Sequence, residues 1–80
     1  MTHDVVIYST PTCHFCKEVK EFFAEKEIEY VNYDVAIDTE RRGEMIKLSG
    51  QMGVPVVVID GKVSVGFNRT ELATKLGIAA

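Results

Sequence analysis

Apolar runs and helical spacings alternate along the first half of the chain and predict a β-α-β unit. Val5-Val6-Ile7-Tyr8 is a continuous apolar run rich in β-branched residues, which is typical of a strand covered on both faces. Pro11 ends this run, and Thr12 is predicted to cap the helix that follows. Over residues 13–27, apolar positions recur every three or four residues and indicate a helix. Residues 28–35 alternate imperfectly and predict a second strand.

The second half of the chain predicts a helix, a β-hairpin and a final helix. The helix opens at Asp38, ends near Gly50 and has as its apolar stripe Met45, Ile46 and Leu48. Residues 54–59 give the strongest strand signal, and Asp60-Gly61 predicts a tight turn into a return strand over residues 62–65. A last helix starts near Asn68 and stops at Gly77.

This order, β-α-β-α-β-β-α, predicts a mixed four-stranded α/β sheet with the three helices on its faces. No repeat, linker or low-complexity tract interrupts it, so residues 1–80 are interpreted as one small domain. The large side chains expected to fill its core are Phe22, Phe23, Tyr30 and Met45.

Composition narrows the functional classes. The chain is 46 % hydrophobic and 26 % charged, with a net charge of −3, so it has no basic excess with which to bind nucleic acid. No apolar run approaches the roughly 20 residues of a membrane span. The polar start Met1-Thr2-His3-Asp4 does not resemble a signal peptide, so we expect a cytoplasmic protein without a membrane partner. In the cytoplasm, two close cysteines are more often catalytic or metal-binding than structural.

The two cysteines, Cys13 and Cys16, lie at the predicted junction of strand and helix. A thiol in the first helical turn faces unsatisfied N–H groups and the positive end of the helix dipole, and both favour its thiolate. Cys13 is therefore predicted to be the attacking sulfur. Cys16, one turn further on and less exposed, is predicted to resolve the mixed disulfide. His14 and Lys17 are either local cations or solvated helix surface.

Other uses of the pair are a structural cysteine, a zinc site or a haem attachment. A zinc site needs four ligands, and only His3 and His14 accompany the cysteines, so we expect no metal. Haem attachment would need histidine where Lys17 follows Cys16.

Three segments together resemble the glutaredoxins: Tyr8-Ser-Thr-Pro-Thr-Cys-His-Phe-Cys16, Gly53-Val54-Pro55 and Val65-Gly66-Phe67. The resemblance implies a thioredoxin fold with sheet order 2-1-3-4, in which the third strand is antiparallel to the first. It also implies that Pro55 is cis and faces Cys13. By spacing alone, Pro55 could instead simply start its strand. The substrate-binding residues that we expect around the sulfurs are Tyr8, Thr10, Thr12, His14, Phe15, Val54, Pro55, Gly66, Phe67 and Asn68. Tyr8 could instead only pack.

The chain departs from the family pattern where glutathione binds. Typical members carry a basic residue at the position of Thr10 and a Gly-Gly pair followed by acidic residues where this chain has Gly66-Phe67-Asn68-Arg69. Phe67 would narrow the groove, whereas Arg69 could still hold a carboxylate. Gly66-Phe67 is also similar to the Ser-Gly-Phe turn of the redoxins that serve ribonucleotide reductase and are reduced by thioredoxin reductase.

We therefore expect a thiol–disulfide oxidoreductase that reduces protein disulfides through a reversible Cys13–Cys16 disulfide. It is expected to be a monomer with no permanently bound cofactor. Its electrons would come from a reductase, either the glutathione system, with glutathione as the reductant, or a thioredoxin-reductase-like enzyme. The alternatives are an iron–sulfur cluster carrier that uses Cys13 and glutathione, and a non-catalytic binding module.

Overall fold

The computed structural model describes residues 4–79, so the expectations for Met1-Thr2-His3 lie outside it. Seven elements follow one another in the predicted order, and their bounds are β1 Val5–Ser9, α1 His14–Glu25, β2 Val31–Asp34, α2 Thr39–Ser49, β3 Val56–Ile59, β4 Lys62–Val65 and α3 Arg69–Leu76. No helix within residues 4–79 is both long and apolar enough to cross a bilayer.

The four strands form one mixed sheet in the order β2-β1-β3-β4. β1 pairs with β2 in parallel, as the α1 crossover requires, and with β3 antiparallel. β3 and β4 form an antiparallel hairpin whose turn residues, Asp60 and Gly61, have φ angles of 50° and 83°. Positive φ at both central positions is the geometry of a two-residue hairpin turn. The predicted thioredoxin topology is confirmed.

Helices cover both faces of the sheet, as predicted. Successive strand residues point to opposite faces, so Ile7 and Tyr8 belong to different layers. Ile7 packs in the layer of α1 and α3, whereas Tyr8 packs with Met45 of α2. The α1–α3 layer contains most of the apolar core, which includes Val19, Phe22, Phe23, Leu72 and Leu76. This layer fixes α1 against the sheet and thereby the position of the cysteines at its start.

The second strand is shorter than predicted. α1 ends in a turn in which the Ile28 N–H donates to the Phe23 carbonyl at 2.8 Å and Glu27 has a φ of +56°. This is a helix-terminating motif, and it keeps residues 26–30 out of the sheet. The prediction that Tyr30 belongs to the core was wrong. It precedes the edge strand β2, lies with its ring centroid 5.6 Å from that of Phe23 and remains 36 % exposed.

Three other local predictions were also wrong. Cys13, not Thr12, caps α1. Of the stripe predicted for α2, only Met45 is fully buried, and Leu48 on its last turn is exposed. Pro55 lies immediately before β3 instead of starting it. Its carbonyl nevertheless accepts a hydrogen bond from the Gly66 N–H at 2.9 Å, which extends the pairing of the hairpin by one residue.

Candidate active site

Cys13 occupies the N-cap of α1, with an extended backbone (φ −85°, ψ 116°). Its Sγ accepts a hydrogen bond from the Cys16 N–H at 3.1 Å, so the sulfur takes the place of the usual serine or aspartate oxygen. The preceding loop is closed by the Cys13 N–H, which donates to the Thr10 carbonyl at 3.3 Å. The Cys16 N–H and the positive end of the helix dipole therefore both face the Cys13 Sγ.

Cys16 lies in a different environment, one turn further along α1. It is only 1 % exposed, whereas Cys13 is half-buried. Burial, followed by the hydrogen bond and charge of Cys13, raises the pKa of the Cys16 thiol to about 12. Cys16 is therefore a protonated thiol at neutral pH, and the two sulfurs differ in exposure and in hydrogen bonding.

The start of β3 lies directly beside the exposed sulfur. The Val54–Pro55 peptide bond is cis, as the resemblance implied. The Cys13 Sγ lies 3.8 Å from the Val54 carbonyl oxygen, within reach of a weak S–H hydrogen bond. Because the Gly66 N–H binds the Pro55 carbonyl, the turn after β4 is tied to the same place. The fold thus brings together Cys13, Val54, Pro55 and Gly66.

The residues after Gly66 are engaged within the protein. The Phe67 ring meets the Phe22 ring edge-on at 6.2 Å and packs against the α1–α3 core. The Asn68 side chain caps α3, because its Oδ1 accepts a hydrogen bond from the Glu71 N–H at 3.0 Å. Arg69 lies 4.8 Å above the Phe22 ring and pairs with the Glu25 carboxylate. Arg69 was expected to be able to hold a substrate carboxylate. In the structure its guanidinium binds the carboxylate of Glu25, the last residue of α1.

Glu71 is also engaged. Hydrogen bonds from the Lys75 ammonium and the Ser64 hydroxyl lower the pKa of its carboxyl group. The Lys75–Glu71 distance is 3.0 Å and the Ser64–Glu71 distance is 3.1 Å. No acidic side chain of this segment is therefore left without a partner in the structure.

Tyr8 packs in the α2 layer, which is one of the two roles considered for it. The side chain is 2 % exposed, and its hydroxyl donates a hydrogen bond to Glu44 at 2.6 Å. Burial, together with this hydrogen bond, raises the pKa of Tyr8, and the same bond lowers the pKa of Glu44. Arg41 pairs with Glu44 at 2.9 Å and lies over the Tyr33 ring. Tyr8 therefore supports the sheet instead of exposing a group to substrate.

His14 and Phe15, the two residues between the cysteines, point into solvent. The Phe15 side chain is 56 % exposed, and the His14 Nε2 lies 3.3 Å from the Glu18 carboxylate. Their rings meet edge-on at 5.5 Å. Phe15 is therefore an exposed apolar ring between the two cysteines in sequence.

A cavity of about 370 Å³ lies on the other side of Cys13, between the loop that precedes α1 and α1 itself. Thr10 and Thr12 line it, as do Pro11, Cys13, His14, Lys17 and Lys20. The sequence analysis did not single out Lys20. The signal was present in the spacing, because positions 13, 17 and 20 fall on one face of a helix.

Known proteins share both the sequence and the fold of this chain. The glutaredoxin family model matches residues 5–64. A glutaredoxin-like 8.6 kDa protein in the rubredoxin operon of Clostridium pasteurianum is 52 % identical over 68 residues, which cover 85 % of this chain and 91 % of that protein. Glutaredoxin 3 of Escherichia coli K12 is 32 % identical over 59 residues, which cover 74 % of this chain and 71 % of that protein. The crystal structure of the thioredoxin-like protein BC3987 superposes with a TM-score of 0.85 at 32 % identity, and the match covers 90 % of this chain and 99 % of that protein.

Proposed function

This chain belongs to the glutaredoxin family of thiol–disulfide redox proteins, and we propose that it reduces protein disulfides by a two-cysteine mechanism. The observation that carries the proposal is the inequality of the two sulfurs on the first turn of α1. Cys13 is accessible and accepts an N–H hydrogen bond, whereas Cys16 is buried and protonated behind it. This arrangement supports Cys13 as nucleophile and Cys16 as resolving thiol.

The mechanism has two exchanges. The Cys13 thiolate attacks one sulfur of the substrate disulfide, a new S–S bond forms to Cys13, and the other substrate sulfur leaves as a thiolate. Cys16 then gives up its proton, which the leaving substrate thiolate takes up, and attacks the Cys13 Sγ. The substrate leaves with both sulfurs reduced, because it has gained the two electrons that Cys13 and Cys16 lost in forming their disulfide.

The start of β3 supports a peptide substrate. The Val54 carbonyl lies 3.8 Å from the attacking sulfur. A backbone group at this position could pair with an extended chain that carries the target cysteine, as an added strand does. Phe15 would contact that chain through its exposed ring. We therefore propose Val54, Pro55 and Phe15 as substrate contacts, with Thr10, Thr12 and His14 beside them.

Paired serine variants test the assignment of roles. Cys13→Ser should abolish reduction of a protein disulfide, because it removes the nucleophile. Cys16→Ser should retain the first exchange and accumulate mixed disulfides, detected by mass spectrometry. The two variants are matched controls for each other, since both make the same small change one helical turn apart. Disulfide reduction by Cys13→Ser at the wild-type rate would rule out the proposed roles.

The electron donor is a separate question, because glutathione is the reductant associated with the family. Where the family binds glutathione, this chain has Asn68 as a helix cap, Arg69 paired with Glu25, and Glu71 paired with Lys75. These engagements support a thioredoxin-reductase-like donor over the glutathione system. Consumption of NADPH should be measured with thioredoxin reductase, and in parallel with glutathione and its reductase. Turnover only in the glutathione system would overturn the choice of donor but not the dithiol mechanism.

The remaining assignments belong to the same proposal. We propose a monomer that acts in the cytoplasm on disulfide-containing proteins and holds no cofactor permanently. An iron–sulfur carrier is the alternative function, and it would need Cys13 together with bound glutathione. The engaged residues 68, 69 and 71 count against it for the same reason. Anaerobic reconstitution that gave a visible cluster absorption band would favour the carrier.

A further inference from the structure

We propose that the cavity beside Cys13 is a carboxylate-binding subsite, in which Lys17 and Lys20 hold an acidic group of the substrate next to the reacting sulfur. The inference rests on the proposed disulfide chemistry and adds to it a preference for one class of substrate. The ligand group is a carboxylate close in sequence to the cysteine under attack. It could be an acidic side chain of a protein substrate or a carboxylate of a small thiol peptide.

The spacing along α1 places the nucleophile and both ammonium groups on one side of the helix. Residues separated by three or four positions are neighbours on a helix surface, so Cys13, Lys17 and Lys20 form one row. All three line the same cavity. A ligand that entered it would therefore touch the attacking sulfur and the two positive charges together.

The charged side chains that line the cavity are all basic. The lining side chains supply two ammonium groups, an imidazole and two threonine hydroxyls, and they include no carboxylate. His14 already faces Glu18 on the helix surface. Among residues 4–79, neither Lys17 nor Lys20 has an ion pair or hydrogen bond through its ammonium group, whereas Arg69 and Lys75 are both paired with glutamates. This positive lining occurs in a chain whose net charge is −3.

Lys20 is the stronger member of the pair because it is half-buried. Its charge also lowers the pKa of Cys16 against the larger opposing effect of burial, so its field reaches the buried sulfur behind Cys13. A cavity of about 370 Å³ is at the small end of ligand sites, which suits one acidic group and not a large molecule. Because Cys13 itself lines the cavity, an acidic group bound there would lie close to the disulfide under attack and would belong to the molecule that carries it.

The test measures discrimination between acidic and neutral substrates. One arm uses two disulfide peptides that differ only by glutamate or glutamine next to the cysteine. The other uses glutathione disulfide and its ethyl ester. Reduced protein is mixed with each substrate, and the second-order rate constant is taken from the first exchange, so no reductase is needed. The proteins are wild type, the Lys17→Met/Lys20→Met double variant, and Lys47→Met, an exposed lysine of α2.

We expect wild type and Lys47→Met to favour the acidic partner by about two- to five-fold, the range for partly exposed ion pairs. The double variant should bring the ratio close to one, and 1 M salt should do the same to wild type. The ratio cancels any effect of Lys20 on Cys16 or on folding, because both substrates meet the same protein. Discrimination in the peptide arm alone would mean that the subsite binds an acidic side chain of a protein substrate. Discrimination in both arms would mean that it binds a carboxylate from either a protein or a small thiol peptide.

A ratio of one in wild type, or an unchanged ratio in the double variant, would overturn the subsite while leaving the disulfide chemistry intact. A binding measurement tests the carboxylate subsite independently of the proposed disulfide chemistry. The S-methylated glutamate peptide cannot react, and its binding is followed by the amide NMR shifts of residues 10–20. Shifts that disappear in the double variant support the subsite even if no substrate is reduced. The absence of shifts in wild type, together with equal rates, contradicts it.

Discussion

The inequality of the two sulfurs predicts that alkylation of the folded, reduced protein modifies Cys13 and leaves Cys16 intact. Only thiolates react with iodoacetamide at a useful rate. A thiol with a pKa of about 12 is ionised at pH 7 to a fraction of about 10⁻⁵. A free cysteine, with a pKa of about 8.5, is ionised to roughly 3 %. Cys16 should therefore react about three thousand-fold more slowly than an unperturbed cysteine, before its 1 % exposure reduces access further.

The assay is a time course of alkylation at pH 7, followed by proteolysis and mass spectrometry to place each label. The same reaction in guanidinium is the reference, because unfolding removes the burial that raises the pKa of Cys16. Both cysteines should then react at similar rates. In the folded protein we expect a single label on Cys13.

The Cys13→Ser variant shows which physical cause dominates. Burial is the largest contribution to the raised pKa of Cys16, and the hydrogen bond and charge of Cys13 come after it. Cys16 should therefore remain protected when Cys13 is absent. If Cys16 of the folded wild type were labelled as fast as Cys13, the inequality on which the mechanism rests would be refuted. If it became reactive only in Cys13→Ser, interaction between the thiols, and not burial, would be the main cause.

Three further predictions concern stability, measured by urea unfolding of the reduced protein. The free energy of unfolding should fall as pH rises above about 9, because the unfolded chain releases the Cys16 proton near the free-cysteine pKa of about 8.5, while the folded chain keeps it until about 12. The free energy of Cys16→Ser should fall less steeply with pH, and equal slopes for the two proteins would contradict the assignment. Met45→Ala should cost about 2–5 kcal/mol, since Met45 is 1 % exposed between α2 and the sheet, and a cost under 1 kcal/mol would mean that this layer is loosely packed. Asn68→Ala should cost about 1 kcal/mol through loss of the α3 cap, whereas Asn68→Asp should retain stability; equal loss in both would argue against capping.

Most of the fold was predictable because its strands and helices have clear periodicities. The apolar run at Val5 and the Asp60-Gly61 turn determine a strand and a hairpin without tertiary information. The errors arose where tertiary context overrides local pattern. The alternation over residues 28–35 does not reveal that Glu27 ends α1 in a left-handed turn, which shortens β2 and leaves Tyr30 at the surface.

The candidate site was predictable only in part. The cysteine pair and the cis bond before Pro55 could be expected from the motif and the family resemblance. The burial of Tyr8 could not, because a strand-end tyrosine can face either layer and register alone decides which. Lys20 was missed for a related reason. Its place in the candidate site depends on residues 10–12, which line the cavity opposite α1, and helical periodicity contains no information about that loop.

Internal pairing explains why one side of the cysteines is closed to charged ligands while the other remains open. Beyond Phe67, the guanidinium of Arg69 and the carboxylate of Glu71 are neutralised by partners in the same chain. A ligand that used them would first have to break these contacts, and the energy it gained would be reduced accordingly. Lys17 and Lys20 have no such partners within residues 4–79, so a substrate carboxylate there would lose only its hydration and that of the two ammonium groups. If the proposed subsite exists, selectivity for acidic substrates would therefore come from which charged side chains the protein leaves unpaired beside Cys13, and not from the chemistry of the sulfur.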